Sequence, residues 1–152
     1  MMRPSRIALP CLTALLAGCA LGPNASYVAR LQSPSDVSVL ADGMAAFVAA
    51  RLPAASSTVV LDPTPSDQAR NSLTPALVAA LRSRGFAVAQ DGQAVPGGVH
   101  HLRYLVTPLG DGDLVRMTLD NAIKGSRFFV RNLAGGLQSG GPLMVTEAEA
   151  AQ

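Results

Sequence analysis

Leu102-Arg103-Tyr104-Leu105-Val106-Thr107 is the stretch that decides the fold. Leu102, Tyr104 and Val106 alternate with Arg103 and Thr107, a period of two that marks a strand with one buried face. The same beat returns downstream. Val115, Met117 and Leu119 alternate with Arg116, Thr118 and Asp120, and Phe129 and Arg131 face away from Phe128 and Val130. Leu143 and Val145 suit a last short strand before Glu147-Ala148-Glu149-Ala150-Ala151-Gln152. Turns are expected at Gly110-Asp111-Gly112-Asp113, Asn121 to Gly125, and Asn132 to Gly141. From Leu102 onward the chain therefore reads as an antiparallel meander.

Upstream of this stretch the period is helical. Ser33-Pro34-Ser35-Asp36 is a helix start, with Ser33 as cap, Pro34 at the first helical position and Asp36 at the positive end of the dipole. Val37, Leu40, Met44, Phe47 and Val48 recur at helical spacing, and Pro53 ends the run, which predicts a helix over 35–51. Ser57-Thr58-Val59-Val60-Leu61 is a β-branched strand, broken by Asp62-Pro63-Thr64-Pro65. Leu73, Leu77 and Leu81 predict a second helix over 67–84, closed by Gly85 as a left-handed cap. Pro75 is the misfit: it should kink that helix, or begin a shorter one with Thr74 as cap. Phe86-Ala87-Val88-Ala89-Gln90 is the next strand, and Asp91 to Gly98 a loop. Helix, strand, helix, strand and then a meander predict an α+β fold. Its two helices pack on one face of a small mixed, mostly antiparallel sheet.

The N-terminus has a different character. Arg3 and Arg6 precede an apolar run, Ile7 to Leu16, that ends in Leu16-Ala17-Gly18-Cys19. This is the layout of a secretory signal peptide. The run is too short to cross a bilayer, which takes about 20 apolar residues, and it holds Pro10. Its end resembles the lipobox of bacterial lipoproteins, which implies cleavage before Cys19 and acylation of that residue. Cys11 would then leave with the signal. The expected organisation is a lipoprotein signal peptide at 1–18, a lipid-anchored tether at 19–34, the α+β domain at 35–146 and a frayed tail at 147–152.

Composition narrows the function. The chain has 12 Lys+Arg against 10 Asp+Glu, and Arg3 and Arg6 account for the excess, so the part from Cys19 onward is formally neutral. A neutral domain lacks the electrostatic footprint of a nucleic-acid binder. With Cys19 acylated no second thiol remains for a disulfide, and the fold rests on its core. Aromatics make up 4% of the chain, so that core is mainly Val, Leu and Ala.

No residue set reads as catalytic. Gly110-Asp111-Gly112-Asp113 lacks the later oxygen ligands of a calcium loop and reads as a hairpin. His100 and His101 point to opposite faces of a strand, with no cysteine or cluster of acids nearby in sequence, and read as structural or solvated. The serines form no nucleophile elbow, and Gly135-Gly136 and Gly140-Gly141 do not sit between a strand and a helix. Arg116, Arg127 and Arg131 are read as a candidate basic strip on one sheet face, against the plainer reading of a solvated face. No cofactor or metal is indicated.

The order of features resembles the TrbH family of conjugal transfer proteins, small lipoproteins of the mating-pair-formation apparatus, a type IV secretion system. The features are Cys19 with its lipobox, the Leu61-Asp62-Pro63-Thr64-Pro65 break, and Ala76-Leu77-Val78-Ala79-Ala80-Leu81-Arg82-Ser83-Arg84-Gly85-Phe86-Ala87-Val88. They continue with Leu102-Arg103-Tyr104-Leu105-Val106, Arg116-Met117-Thr118-Leu119, and Ser126-Arg127 ahead of a Gly-rich turn. Met144-Val145-Thr146-Glu147 departs from the family pattern of an aromatic last strand with a basic residue. The resemblance implies a non-enzymatic structural component of the outer membrane, facing the periplasm and held by lipid on Cys19. Its partners would be other envelope proteins of the apparatus, with self-association left open and no direct contact with nucleic acid. It transfers no catalytic residue. The alternative is a periplasm-facing lipoprotein that binds a small ligand or assists assembly of another envelope complex.

Overall fold

The computed structural model describes residues 25–31, 33–65, 71–90 and 98–148. Cys19 and the 1–18 segment lie outside them. Among the described residues eight strands form one mixed sheet: β1 (Tyr27–Val28), β2 (Ser57–Leu61), β3 (Ala87–Gln90), β4 (Gly98–Leu109), β5 (Gly112–Leu119), β6 (Ile123–Arg131), β7 (Leu137–Ser139) and β8 (Met144–Glu147). The order across the sheet is β3-β2-β4-β5-β6-β7. The long strands β4 and β6 each carry two short neighbours on one edge. β2 and β1 run parallel to successive parts of β4, and β8 and β7 run antiparallel to successive parts of β6. With helices α1 (Pro34–Ala49) and α2 (Leu73–Ser83) this is the expected α+β architecture.

Helix α1 begins where its sequence dictates. The Ser33 hydroxyl accepts from the Ser35 N–H at 3.3 Å, and the Ser33 N–H donates to Asp36 Oδ2 at 3.0 Å, a reciprocal capping box. Leu40, Met44, Phe47 and Val48 are buried, each gaining about 1.5–3 kcal/mol from leaving water.

Of the expected helix over 67–84, positions 67–70 lie outside the described residues, and Asn71 and Ser72 precede helix α2. It starts at Leu73, because the Asn71 side chain accepts from the Thr74 N–H at 2.8 Å and sets the first turn there. Thr74 is therefore inside the helix and capped, rather than the cap. Pro75 then falls in the first turn, where a missing N–H costs nothing. At the far end Gly85 takes φ +87 and the Phe86 N–H returns to the Leu81 carbonyl at 3.2 Å, closing the helix as expected.

Register fixes which residues point inward. Leu102 pairs with Leu119, Tyr104 with Met117 and Val106 with Val115, and all six are buried under the helices. On β6 the inward positions are Ile123, Gly125, Arg127, Phe129 and Arg131. Two reciprocal contacts lock α1 onto this strand. A Cβ on Gly125 would stand 2.6 Å from the Phe47 ring, and a Cβ on Gly43 would stand 2.7 Å from the Phe129 ring. Each of two aromatic rings thus seats on a glycine of the other element.

Three loop expectations shift. The turn expected at Asn121 to Gly125 is Asp120 to Ala122, with Asp120 and Asn121 at φ +52 and +59. Gly125 belongs to β6, where it clears space for Phe47. The expected Asn132–Gly141 turn contains β7, paired with β6 from Phe129 to Arg131. The third concerns the 19–34 segment expected as a tether, part of which is docked. Tyr27 and Val28 pair with Leu105 and Val106, the Ser26 N–H donates to the Pro63 carbonyl at 2.9 Å, and the Tyr104 N–H donates to the buried Ser26 hydroxyl at 3.2 Å.

Candidate functional site

Among the described residues the polar groups that could carry chemistry fall into three clusters and one open face. The first cluster is buried at the end of the sheet where α1 begins. Arg131 is inward on β6, and its fork grips Asp36, Nη2 to Oδ2 at 2.8 Å and Nη1 to Oδ1 at 3.3 Å. Nη1 also donates to the Gly135 carbonyl at 2.8 Å, and Asp113 Oδ2 lies 3.9 Å from Nη2. Asp36 is fully buried, so the pair is desolvated on the carboxylate side. The hydrogen bond to Asp36 pushes the Arg131 pKa up, keeping it charged at any physiological pH. Burial pushes the Asp113 carboxyl upward, an effect the Arg131 charge partly offsets. The arrangement ties helix start, β5 and β6 together, and Asp113 belongs to it rather than to a calcium loop.

The second cluster holds both histidines. His100 Nδ1 is 2.7 Å from Asp120 Oδ2 and His101 Nδ1 is 3.1 Å from Asp62 Oδ1. Asp120 Oδ1 also accepts from the His101 N–H at 2.8 Å. As strand neighbours the two rings diverge, and each meets its own carboxylate rather than a common point. These acids are distant in sequence, which is why the chain read linearly offered the histidines no partner. Among the described residues no group of three His, Cys, Asp or Glu could hold a metal ion.

The third is a core relay: the Tyr104 hydroxyl lies 2.6 Å from Thr74 Oγ1, which donates to Asn71 Oδ1 at 2.9 Å. Burial raises the Tyr104 pKa, so the phenol stays neutral and acts as a hydrogen-bonding strut between β4 and the α2 cap.

The basic strip expected from Arg116, Arg127 and Arg131 does not form. Arg116 pairs with Ser126 and Val115 with Arg127, so Arg116 points outward while Arg127 and Arg131 point toward the helices. Arg127 instead lies 5.9 Å over the Phe129 ring and donates from Nε to the Gly141 carbonyl at 3.2 Å. What remains outward is a different basic face. Arg103, Arg116 and Lys124 project from β4, β5 and β6 on the side opposite the helices. A groove of about 280 Å³ crosses this face, lined by Leu105, Arg116, Thr118, Lys124, Ser126 and Met144 among others. Sequence reasoning missed the groove because it depends on β8 joining β6, a pairing no local pattern announces.

No described helix is long and apolar enough to cross a membrane. No match was found among curated proteins or among solved structures. The model of one family, described as conjugal transfer protein TrbH, matches residues 21–149. That span takes in both helices and every strand of the sheet, and the chain belongs to the TrbH family of conjugal transfer proteins.

Proposed function

We propose that this chain is a non-enzymatic, structural lipoprotein of a conjugative type IV secretion apparatus, held by acylated Cys19 on the periplasmic face of the outer membrane. The observation that carries the reading is the Leu16-Ala17-Gly18-Cys19 lipobox pattern directly ahead of a segment matching a conjugal transfer family. A conjugal transfer component fits an envelope location. The signal at 1–18 is removed, and the residues between Cys19 and the docked Ser26 link lipid to domain. The six residues from Cys19 to Asn24 reach at most about 20 Å when extended. Because Ser26 to Val28 are docked on the sheet, the anchored domain stands close to the leaflet. Stable anchoring needs more than one acyl chain, each buried methylene adding about 0.8 kcal/mol, and a triacylated cysteine supplies it.

The clusters around Arg131, His100 and Tyr104 support a structural role, since the hydrogen bonds of each join separate elements. The test is plasmid transfer after deletion of the gene, with wild-type and Cys19→Ser copies restored. Transfer falls on deletion and returns only with wild type, while the Cys19→Ser chain leaves the membrane fraction still folded. Unchanged transfer on deletion overturns the conjugation role, and a Cys19→Ser chain retained in the membrane overturns the anchor.

A further inference from the structure

The helices cover one face of the sheet. On the other, β4, β5, β6 and β8 present a ladder of outward residues in register. One row runs Leu105, Arg116, Ser126, Met144 across four strands. The next runs Arg103, Thr118, Lys124, Thr146. No acidic residue occupies an outward position within these strands. Arg131, Arg84 and Arg51 each have a carboxylate partner at the helices or edges. Arg116 and Lys124 have none among the described residues. They are diagonal neighbours on adjacent strands, with Cα atoms about 7–8 Å apart, so their charges repel without an anion between them.

We infer that this face binds an acidic, amphipathic peptide segment of another protein, a carboxylate settling between Arg116 and Lys124 while apolar side chains cover Leu105 and Met144. That the other protein belongs to the transfer apparatus rests on the function proposed above. Charge complementarity picks out an acidic partner in an otherwise neutral domain. The geometry favours a peptide over a lipid headgroup. The first row spans three strand spacings, about 14 Å, which is the length of about four extended residues. It is cationic near its centre and apolar at both ends, with Met144 70% exposed. A single headgroup would answer the charge and leave both ends uncovered.

The test uses the full chain in donor cells, with p-benzoylphenylalanine in place of Thr146, an exposed residue on the groove rim, and in place of Ala46 on the exposed side of α1 as control. Irradiation yields an adduct from position 146 and not from 46. Sequencing of the cross-linked partner peptide finds acidic residues flanked by apolar ones. Arg116→Glu with Lys124→Glu lowers the adduct by about tenfold or more, since attraction becomes like-charge repulsion. Arg116→Lys with Lys124→Arg keeps it, which separates charge from folding. Changing the partner's acids to lysine restores the adduct with the Glu pair. An adduct indifferent to the Glu pair, one made only with lipid or only with a second copy of this chain, a cross-linked peptide without acids, or no adduct at all overturns the inference. The two readings fail separately. If deletion leaves transfer unchanged, the conjugation role falls while a charge-dependent acidic adduct still stands. If transfer requires the gene but the Glu pair transfers and cross-links like wild type, only the docking face falls.

Discussion

Gly125→Ala tests how α1 is held to the sheet. The added Cβ would stand 2.6, 2.9 and 3.2 Å from three ring carbons of Phe47. Carbon atoms pack at about 3.5–4.0 Å, so ring or strand must yield by about 1 Å. Phe47 is 1% exposed and surrounded by core, which leaves the ring nowhere to go. Overpacking of this kind costs about 1–3 kcal/mol. Replacing glycine in a strand returns about 0.5–1 kcal/mol of conformational entropy. The net expectation is a loss of about 1–2 kcal/mol, or a fall in Tm of about 4–8 °C for a domain of this size. The assay is urea and thermal unfolding of residues 20–152, followed by circular dichroism. Phe47→Leu removes the ring edge that the new methyl meets. In that background Gly125→Ala should cost about 1 kcal/mol less, a coupling large enough to read in a double-mutant cycle. Equal cost in both backgrounds, or a Gly125→Ala chain within about 0.5 kcal/mol of wild type, would refute the ring-on-glycine account.

Asp113 gives a pH prediction. Its folded pKa lies above its ordinary value, chiefly through burial, so in the window between the two the native state holds a proton that the unfolded chain has released. Asp113 therefore opposes folding at neutral pH, and that penalty fades as pH falls through the window. Urea unfolding at pH 7 and pH 4.5 should show wild type gaining relative to Asp113→Asn at the lower pH, and a difference that is flat or of opposite sign would refute the assignment. Tyr104→Phe keeps the buried ring and deletes the hydroxyl. Thr74 Oγ1 retains Asn71 as its partner, so the loss stays near 1 kcal/mol rather than the larger cost of a stranded polar group, a difference that denaturant midpoints resolve.

Local chemistry made most of the elements readable. The α1 start follows from Ser33, Pro34 and Asp36 alone, and the alternation of Leu102, Tyr104 and Val106 needs no partner to be recognised. Non-local pairing hid the rest. Tyr27-Val28 is too short to show a period and becomes a strand only because β4 extends past the end of β2. Leu137 to Ser139 sits among glycines and turn-formers, and it is ordered by the free edge of β6. Asn71 fixes the α2 start more firmly than Leu-rich periodicity could, and its signal is one side chain three residues before Thr74. The buried ion pair was half visible. Phe129 and Arg131 share a face, which turns the arginine toward the core side. Asp36, read only as a helix-cap residue, is its acidic partner.

These findings converge on one geometry. Along α1 the contacts run Asp36, Gly43, Phe47; along β6 they run Arg131, Phe129, Gly125. Eleven residues of helix rise about 16 Å, and six residues of strand span about 20 Å, so the two series cover comparable lengths. The helix therefore lies along the strand in the opposite sense, pinned by charge at one end and by rings seated on glycines along the rest. A chain with so few aromatics gains specificity this way, because a ring-on-glycine seat admits one register where a row of Val and Leu would tolerate several. It also separates Arg131, which belongs to the architecture, from the outward pair Arg116 and Lys124. Arg131 is consumed in fixing α1, whereas Arg116 and Lys124 face away from both helices, on the side of the sheet that the described residues leave open.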